Sequence, residues 1–150
     1  MTDLDISKFA FFKDMKEEYR QIFLKNLTKD VFKPNEYIVK QNEHASKFFL
    51  IVKGKVSIEM LSPEGKPFSI QTLKEGDIVG WSWMIPPFLS QFSVRALEAT
   101  EMLVIDGEML RQKSEKDHDL GYDLLKRLVT IFVLRLQATR QHLMALYSSV

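Results

Sequence analysis

The sequence predicts a mainly-β α+β domain: a sandwich or barrel of short strands, with helices before it and one long helix after it. Two observations carry most of that expectation. Residues 31–105 hold short runs rich in Val, Ile and Phe, namely Glu36–Val39, Phe48–Val52, Lys55–Leu61, Phe68–Leu73, Phe92–Ala96 and Met102–Ile105. Turn formers separate these runs, at Asn35, Asn42, Gly54, Ser62–Gly65 and Glu75–Asp77. Short strands at even spacing, with no helical pattern between them, exclude alternating βαβ units.

Helical spacing holds at both ends. In residues 1–30, Tyr19, Ile22, Phe23 and Leu27 recur as one face of a helix, and Asp14–Glu17 has the form of a capping box. From Asp106 onward the helical period returns. Asp106 is placed to cap a short helix holding Met109 and Leu110, and Asp117 or Asp119 to cap a long one reaching about Leu146. Along that helix Leu125, Val129, Phe132, Leu136, Thr139, Leu143 and Leu146 alternate in steps of four and three, a heptad seam with one polar member. Leu124, Leu128, Ile131 and Leu134 form a flanking stripe that can pack on the chain's own strands. Two apolar flanks predict one face for the β domain and one for a partner helix, hence a parallel homodimer through the C-terminal helix.

A chain of 150 residues forms one domain, 1–150, able to bury ~70% of its unfolded surface. Its formal charge of +1 supplies no general attraction to nucleic acid or to acidic membranes. The absence of cysteine excludes disulfides, thiolate nucleophiles and Cys-held metal centres. It fits a reducing compartment. The N-terminal MTDLDISKFAFF lacks the basic-then-apolar order of a signal peptide. The most apolar run, Leu128–Leu136, is far shorter than the ~20 residues of a membrane span. These points predict a cytoplasmic protein without a membrane anchor. His44, His118 and His142 are scattered, with no HxH or HxxxH spacing, and no P-loop, GxSxG or HExxH is present. No metal, cofactor or enzymatic activity is expected.

One connection breaks the rule that strand links are short and polar. Gly80–Ala96 reads GWSWMIPPFLSQFSVRA, crowding two tryptophans and two prolines before one arginine. Its neighbours carry a family resemblance. Phe48–Val56, with Gly54 at its turn, resembles the strand–glycine–strand element of the cyclic nucleotide-binding domain of the catabolite-activator and fumarate–nitrate-regulator superfamily. Leu73–Gly80 resembles that family's approach to its phosphate-binding cassette, Val94–Ala96 the strand leaving it, and Arg135–Thr139 the long helix that dimerises and closes over the ligand. The resemblance covers nearly the whole chain in order. It implies a jelly-roll barrel, a double-stranded β-helix, with N-terminal helices, a long C-terminal helix and a small ligand inside. Such domains are usually followed by a helix-turn-helix, kinase or channel. With the chain ending at Val150, no DNA-reading domain is expected here.

The resemblance also marks where the chemistry departs. In the family, the glycine matched by Gly80 precedes a glutamate that holds the ribose hydroxyl; Trp81 stands there. The arginine that pairs with the cyclic phosphate is replaced by Ser90 or Gln91. A hydrogen bond to a charged group is worth ~1.5–3 kcal/mol, so losing both anchors moves a micromolar site toward millimolar. Neutral donors remain in Ser90, Gln91 and the turn amides of Pro86–Leu89. Thr139 matches the family's base-contacting threonine, and Arg140 beside it is either a replacement cation or a solvated surface group. Strand alternation points Arg95 away from Phe92, Val94 and Ala96, which gives it a structural role. Trp81 and Trp83, two apart in an extended segment, form either an aromatic wall for a flat ligand or, with Met84, Ile85 and Phe88, a plug.

The ligand-binding candidates are therefore Gly80, Trp81, Ser82, Trp83, Ser90, Gln91, Thr139 and Arg140. Three functions compete: a ligand-sensing regulatory module binding a cyclic nucleotide weakly or another small molecule; an interaction module with its pocket filled by its own side chains; and a cupin-type enzyme, which the scattered histidines disfavour.

Overall fold

A computed structural model describes residues 6–148 of the chain; Met1–Asp5, part of the N-terminal stretch read above, lie outside the described residues. The chain divides between Arg111 and Gln112 into two compact units.

Among the described residues the first unit contains eight strands: β1 (Thr28–Phe32), β2 (Tyr37–Val39), β3 (Lys47–Lys53), β4 (Lys55–Leu61), β5 (Pro67–Lys74), β6 (Ile78–Val79), β7 (Ser93–Ala96) and β8 (Thr100–Asp106). They form two four-stranded sheets, ordered β1-β8-β3-β6 and β2-β7-β4-β5. Every pairing is antiparallel. All the expected strands are present, their ends shifted by a residue or two. Each expected turn holds a residue in the left-handed region: Asn35, Asn42, Gly54, Gly65 and Gly76. Gly54 shows why. At φ +109° a Cβ there would lie 2.5 Å from Thr100 Oγ1 and 2.8 Å from Ala99 O, so the β3–β4 turn admits no side chain.

Two strands have no counterpart in the sequence reading. β1 falls partly in the stretch expected to be helical. It is exposed except for Phe32, so it carries no apolar alternation, and its place comes from pairing with β8. β6 is only Ile78–Val79, paired with Leu50 and Phe49 of β3.

The sheets share a core. Phe49 and Ile51 of β3, Val56 and Ile58 of β4, Val94 and Ala96 of β7, and Met102 and Val104 of β8 belong to one buried cluster. The alternate residues of β3, Phe48 and Leu50, are also fully buried, on the other face of their sheet. That outer face is covered by aromatic residues from the N-terminal segment. The Phe11 ring centroid lies 5.0 Å from that of Phe48, Phe12 lies 5.0 Å from Phe23, and Phe23 lies 6.2 Å from Phe48. The apolar run FFLIV of β3 is therefore continuous because both faces are buried.

Two 3₁₀ turns, Ile6–Lys8 and Ala10–Phe12, precede α1 (Glu17–Asn26). The capping box does not form. Asp14 has φ 60°, Lys16 is the N-cap without a side-chain bond, and the Glu17 carboxylate instead accepts from Arg20 and Gln21. α2 (Gly107–Lys116) starts as expected: Asp106 Oδ1 accepts from the N–H groups of Glu108 and Met109 at 2.9 and 3.3 Å. The division between the units falls inside α2.

The second unit is dominated by α3 (His118–Ser148). Of its two candidate caps, Asp117 serves: its Oδ1 accepts from Leu120 N–H at 3.2 Å. Leu120, Leu124 and Leu128 are buried, Ile131 is half-buried and Leu134 is exposed. In the heptad seam Leu125, Val129, Leu136, Leu143 and Leu146 are exposed, and Phe132 is half-buried. Among the described residues no helix is long and apolar enough to cross a membrane.

Candidate ligand site

A cavity of about 110 Å³ opens in the first unit. The β2–β3 connection, β3 and the stretch after β6 build it. Ile38, Val39, Phe49, Val79, Phe92 and Val94 supply its apolar surface, and Gly80, Ser82, Ser90 and Gln91 border it from the GWSW side. Lys40, Glu43, His44, Ser46 and Lys47 complete the polar lining.

The stretch after β6 folds in a way its spacing does not show. Gly80 has φ +83°, and a Cβ there would lie 2.7 Å from Lys47 O, so only glycine lets the chain pass this close to β3. Ser82–Met84 then form a 3₁₀ turn, with Trp81 at φ −121°, ψ −2°. The segment is not extended, so the two indoles do not share a face. Trp83 is buried on the outer side of β3. Its ring stands edge-on to Phe48 with centroids 5.9 Å apart, and its Nε1–H donates to Gly80 O at 2.6 Å. Gly107 makes room for it, since a Cβ there would lie 2.4 Å from the Trp83 ring. Trp81, a predicted ligand residue, is also absent from the cavity lining and stands edge-on to the lining residue Phe92 at 5.1 Å.

Neither arrangement foreseen for the tryptophans is therefore present. Trp83, Met84, Ile85 and Phe88 are all absent from the cavity lining, so they neither wall it nor plug it. Phe88 sits at φ 60°, an unusual backbone conformation for an aromatic residue. It is held by bonds from Ala45 N–H to its carbonyl and from its own N–H to Ile85 O. Arg111 clamps the same turn, with its guanidinium 3.9 Å from the Phe88 ring centroid and Nη1 donating to Trp83 O at 2.9 Å. The Pro86–Leu89 amides thus offer the cavity nothing: the prolines have no N–H, the Phe88 N–H is spent inside the turn, and none of these residues lines the space.

Ser90 is the inward donor. It is 6% exposed, lines the cavity, and its hydroxyl has no hydrogen-bond partner among the described residues. Its backbone is pinned by Glu43 O and Asn42 N–H. Gln91 lines the same space from an exposed position.

Arg95 occupies the place its alternation predicts. Val94 and Ala96 are fully buried, while Arg95 Nε donates to Glu59 Oε2 at 2.8 Å and Nη1 to Asn35 Oδ1 at 2.8 Å. Glu59 is 4% exposed and also accepts from the Tyr37 hydroxyl at 2.8 Å. That bond to a carboxylate, with a smaller contribution from desolvation, pushes the Tyr37 phenol above its ordinary range. Thr139 and Arg140 lie in the second unit, both exposed on α3, and Thr139 Oγ1 donates to Arg135 O at 2.9 Å.

This geometry has relatives. The sequence model of the cyclic nucleotide-binding domain matches residues 29–117, more than half of the chain. The chain belongs to the cyclic nucleotide-binding domain family. It is 32% identical over 116 residues to the mouse cGMP-dependent protein kinase 2, a match covering 64% of this chain and 15% of the kinase. The family's fold recurs in a candidate cyclic nucleotide-binding protein of Geobacter metallireducens (TM-score 0.79, 24% identity, 87% of this chain and 95% of that one). It recurs again in the catabolite activator protein of Thermus thermophilus (TM-score 0.70, 18% identity, 91% and 62%). Membership of that family supports a ligand-sensing regulatory module.

Within that fold, several lining residues had no signal in the sequence. Lys40, Glu43, His44 and Lys47 fall around a connection that read only as a turn at Asn42. Arg111 is one helical cation among many until its carbonyl and ring partners are visible.

Proposed function

We propose that this chain is a non-enzymatic sensor whose cavity takes a small ligand, with cyclic nucleotides bound weakly or replaced, and which works as a homodimer through α3. One observation carries the reading. The cassette borders a solvent-reachable cavity, yet Ile78–Val94 contains no charged residue. At the position of the family's ribose acid, Trp81 packs on Phe92; in the region of its phosphate arginine stands a buried serine. Each missing charged hydrogen bond weakens nucleotide binding by roughly 10–150-fold.

The two antiparallel sheets are read as a jelly roll around the ligand. In this mechanism a ligand beneath Gly80–Gln91 shifts the Phe88 turn. Arg111 carries that shift into α2, whose chain continues into α3. The exposed seam of Leu125, Val129, Leu136, Leu143 and Leu146 is then the readout surface.

The test is calorimetric titration with cyclic AMP, cyclic GMP and a panel of small organic acids, beside sedimentation of the chain and of a Leu136→Glu, Leu143→Glu double variant. The expected result is saturable binding of a small ligand, nucleotide affinity in the high-micromolar to millimolar range, and a dimer that the double variant dissociates without loss of helicity. Tight nucleotide binding, or a monomeric parent chain, would overturn the corresponding part.

A further inference from the structure

Resting on that reading of the cavity, we propose that its ligand is a compact organic monocarboxylate of single-ring or short-chain size. Its apolar body lies among Phe49, Phe92 and Val94, and its carboxylate is held by Ser90, Lys40 and Lys47. Size is the first argument. Pockets for drug-sized ligands run to roughly 300–1,000 Å³, and an apolar cavity of ~150 Å³ holds benzene. About 110 Å³ therefore suits one ring or a branched short chain, not a nucleotide.

Polarity is the second. Ser90 is 6% exposed as a residue, and its hydroxyl has no protein partner among the described residues and is open to the cavity it lines, which leaves a neutral donor free to meet a ligand.

Charge is the third. Lys40 and Lys47 line the cavity, and neither forms an ion pair among the described residues. The His44 ring is already engaged by Glu108 at 2.9 Å. Glu43 is a lining carboxylate, so two ammonium groups and one carboxylate leave a single positive charge to be met. That balance favours a monoanion over a dianionic phosphate monoester. The cation has thus moved from the cassette, where family members carry it, to the ends of the β2–β3 connection.

The experiment is isothermal titration of the full chain with benzoate, phenylacetate and isovalerate, with benzamide as the neutral isostere of benzoate, and with inorganic phosphate and cyclic AMP. The same titrations are run on Ser90→Ala and on Lys40→Met combined with Lys47→Met, each checked for unchanged helicity and melting. At least one carboxylate should bind at one site per chain. Benzamide should bind at least about tenfold more weakly than benzoate, and each variant should lose about tenfold or more of the carboxylate affinity. Binding of cyclic AMP with no carboxylate binding would overturn the ligand class and leave the sensor reading standing. Equal affinity for benzoate and benzamide, or unchanged affinity in both variants, would overturn the role of the charged wall. Failure of every probe would overturn both this inference and the reading beneath it.

Discussion

Replacing Arg95 by methionine removes one side of a charge pair whose other side is held away from water. Glu59 is 4% exposed, and its two oxygens accept from Arg95 Nε and the Tyr37 hydroxyl, both at 2.8 Å. Breaking a fully buried pair costs ~3–5 kcal/mol, because the remaining charge keeps its desolvation penalty and loses its compensation. Here the Arg95 side chain is 27% exposed and Tyr37 still donates, so about 2–3 kcal/mol is the better figure. At roughly 2–4 °C per kcal/mol for a chain of this size, the Tm should fall by roughly 4–12 °C. Adding Glu59→Gln removes the stranded charge and should recover most of the loss. Differential scanning calorimetry of the parent, the single and the double variant provides the measurement. The Arg95 side chain points away from the cavity, so ligand affinity at a temperature where all three are folded should not change. A fall of less than about 2 °C in the single variant, or a double variant less stable than the single, would refute the burial argument. Loss of ligand binding with stability intact would instead make Arg95 a ligand anchor.

Gly54→Ala should destabilise by about 2–5 kcal/mol in urea unfolding, from a left-handed backbone plus a clash with Thr100 and Ala99. Gly65→Ala, at φ +81° with nothing within 4 Å, should show only the conformational part, about 1–2 kcal/mol; equal losses would discredit the clash. Trp83→Ala should cost about 3–5 kcal/mol through the vacated space beside Phe48, whereas Gln91→Ala, on an exposed residue, should leave the melt unchanged within about 0.5 kcal/mol. Tyr37 has its folded-state value raised above the unfolded one by the bond to Glu59. Its stabilisation is therefore complete below about pH 10 and is lost as pH rises through the folded-state value. The stability gap between the parent and Tyr37→Phe should narrow in alkali, and a constant gap would show that the phenol–carboxylate bond contributes nothing.

Much of this protein is legible without coordinates. The strands of the two sheets, the left-handed turns at Asn35, Asn42 and Gly54, the caps at Asp106 and Asp117 and the outward Arg95 all follow from local rules: period, turn chemistry and short-range hydrogen bonding. β1 and β6 did not follow, since one is too polar and the other too short to have a period, and both exist only because β8 and β3 offer partners. The direction of Trp83 was likewise undecidable from spacing. A 3₁₀ turn, a hydrogen bond to Gly80 O and the gap left by Gly107 draw its indole out to Phe48, and none of these is encoded in the distance from Trp81 to Trp83. The charged wall of Lys40, Glu43 and Lys47 belongs to the same class. Ionic side chains on a turn carry no sign of what they face, and only packing two sheets together brings that turn beside Ser90.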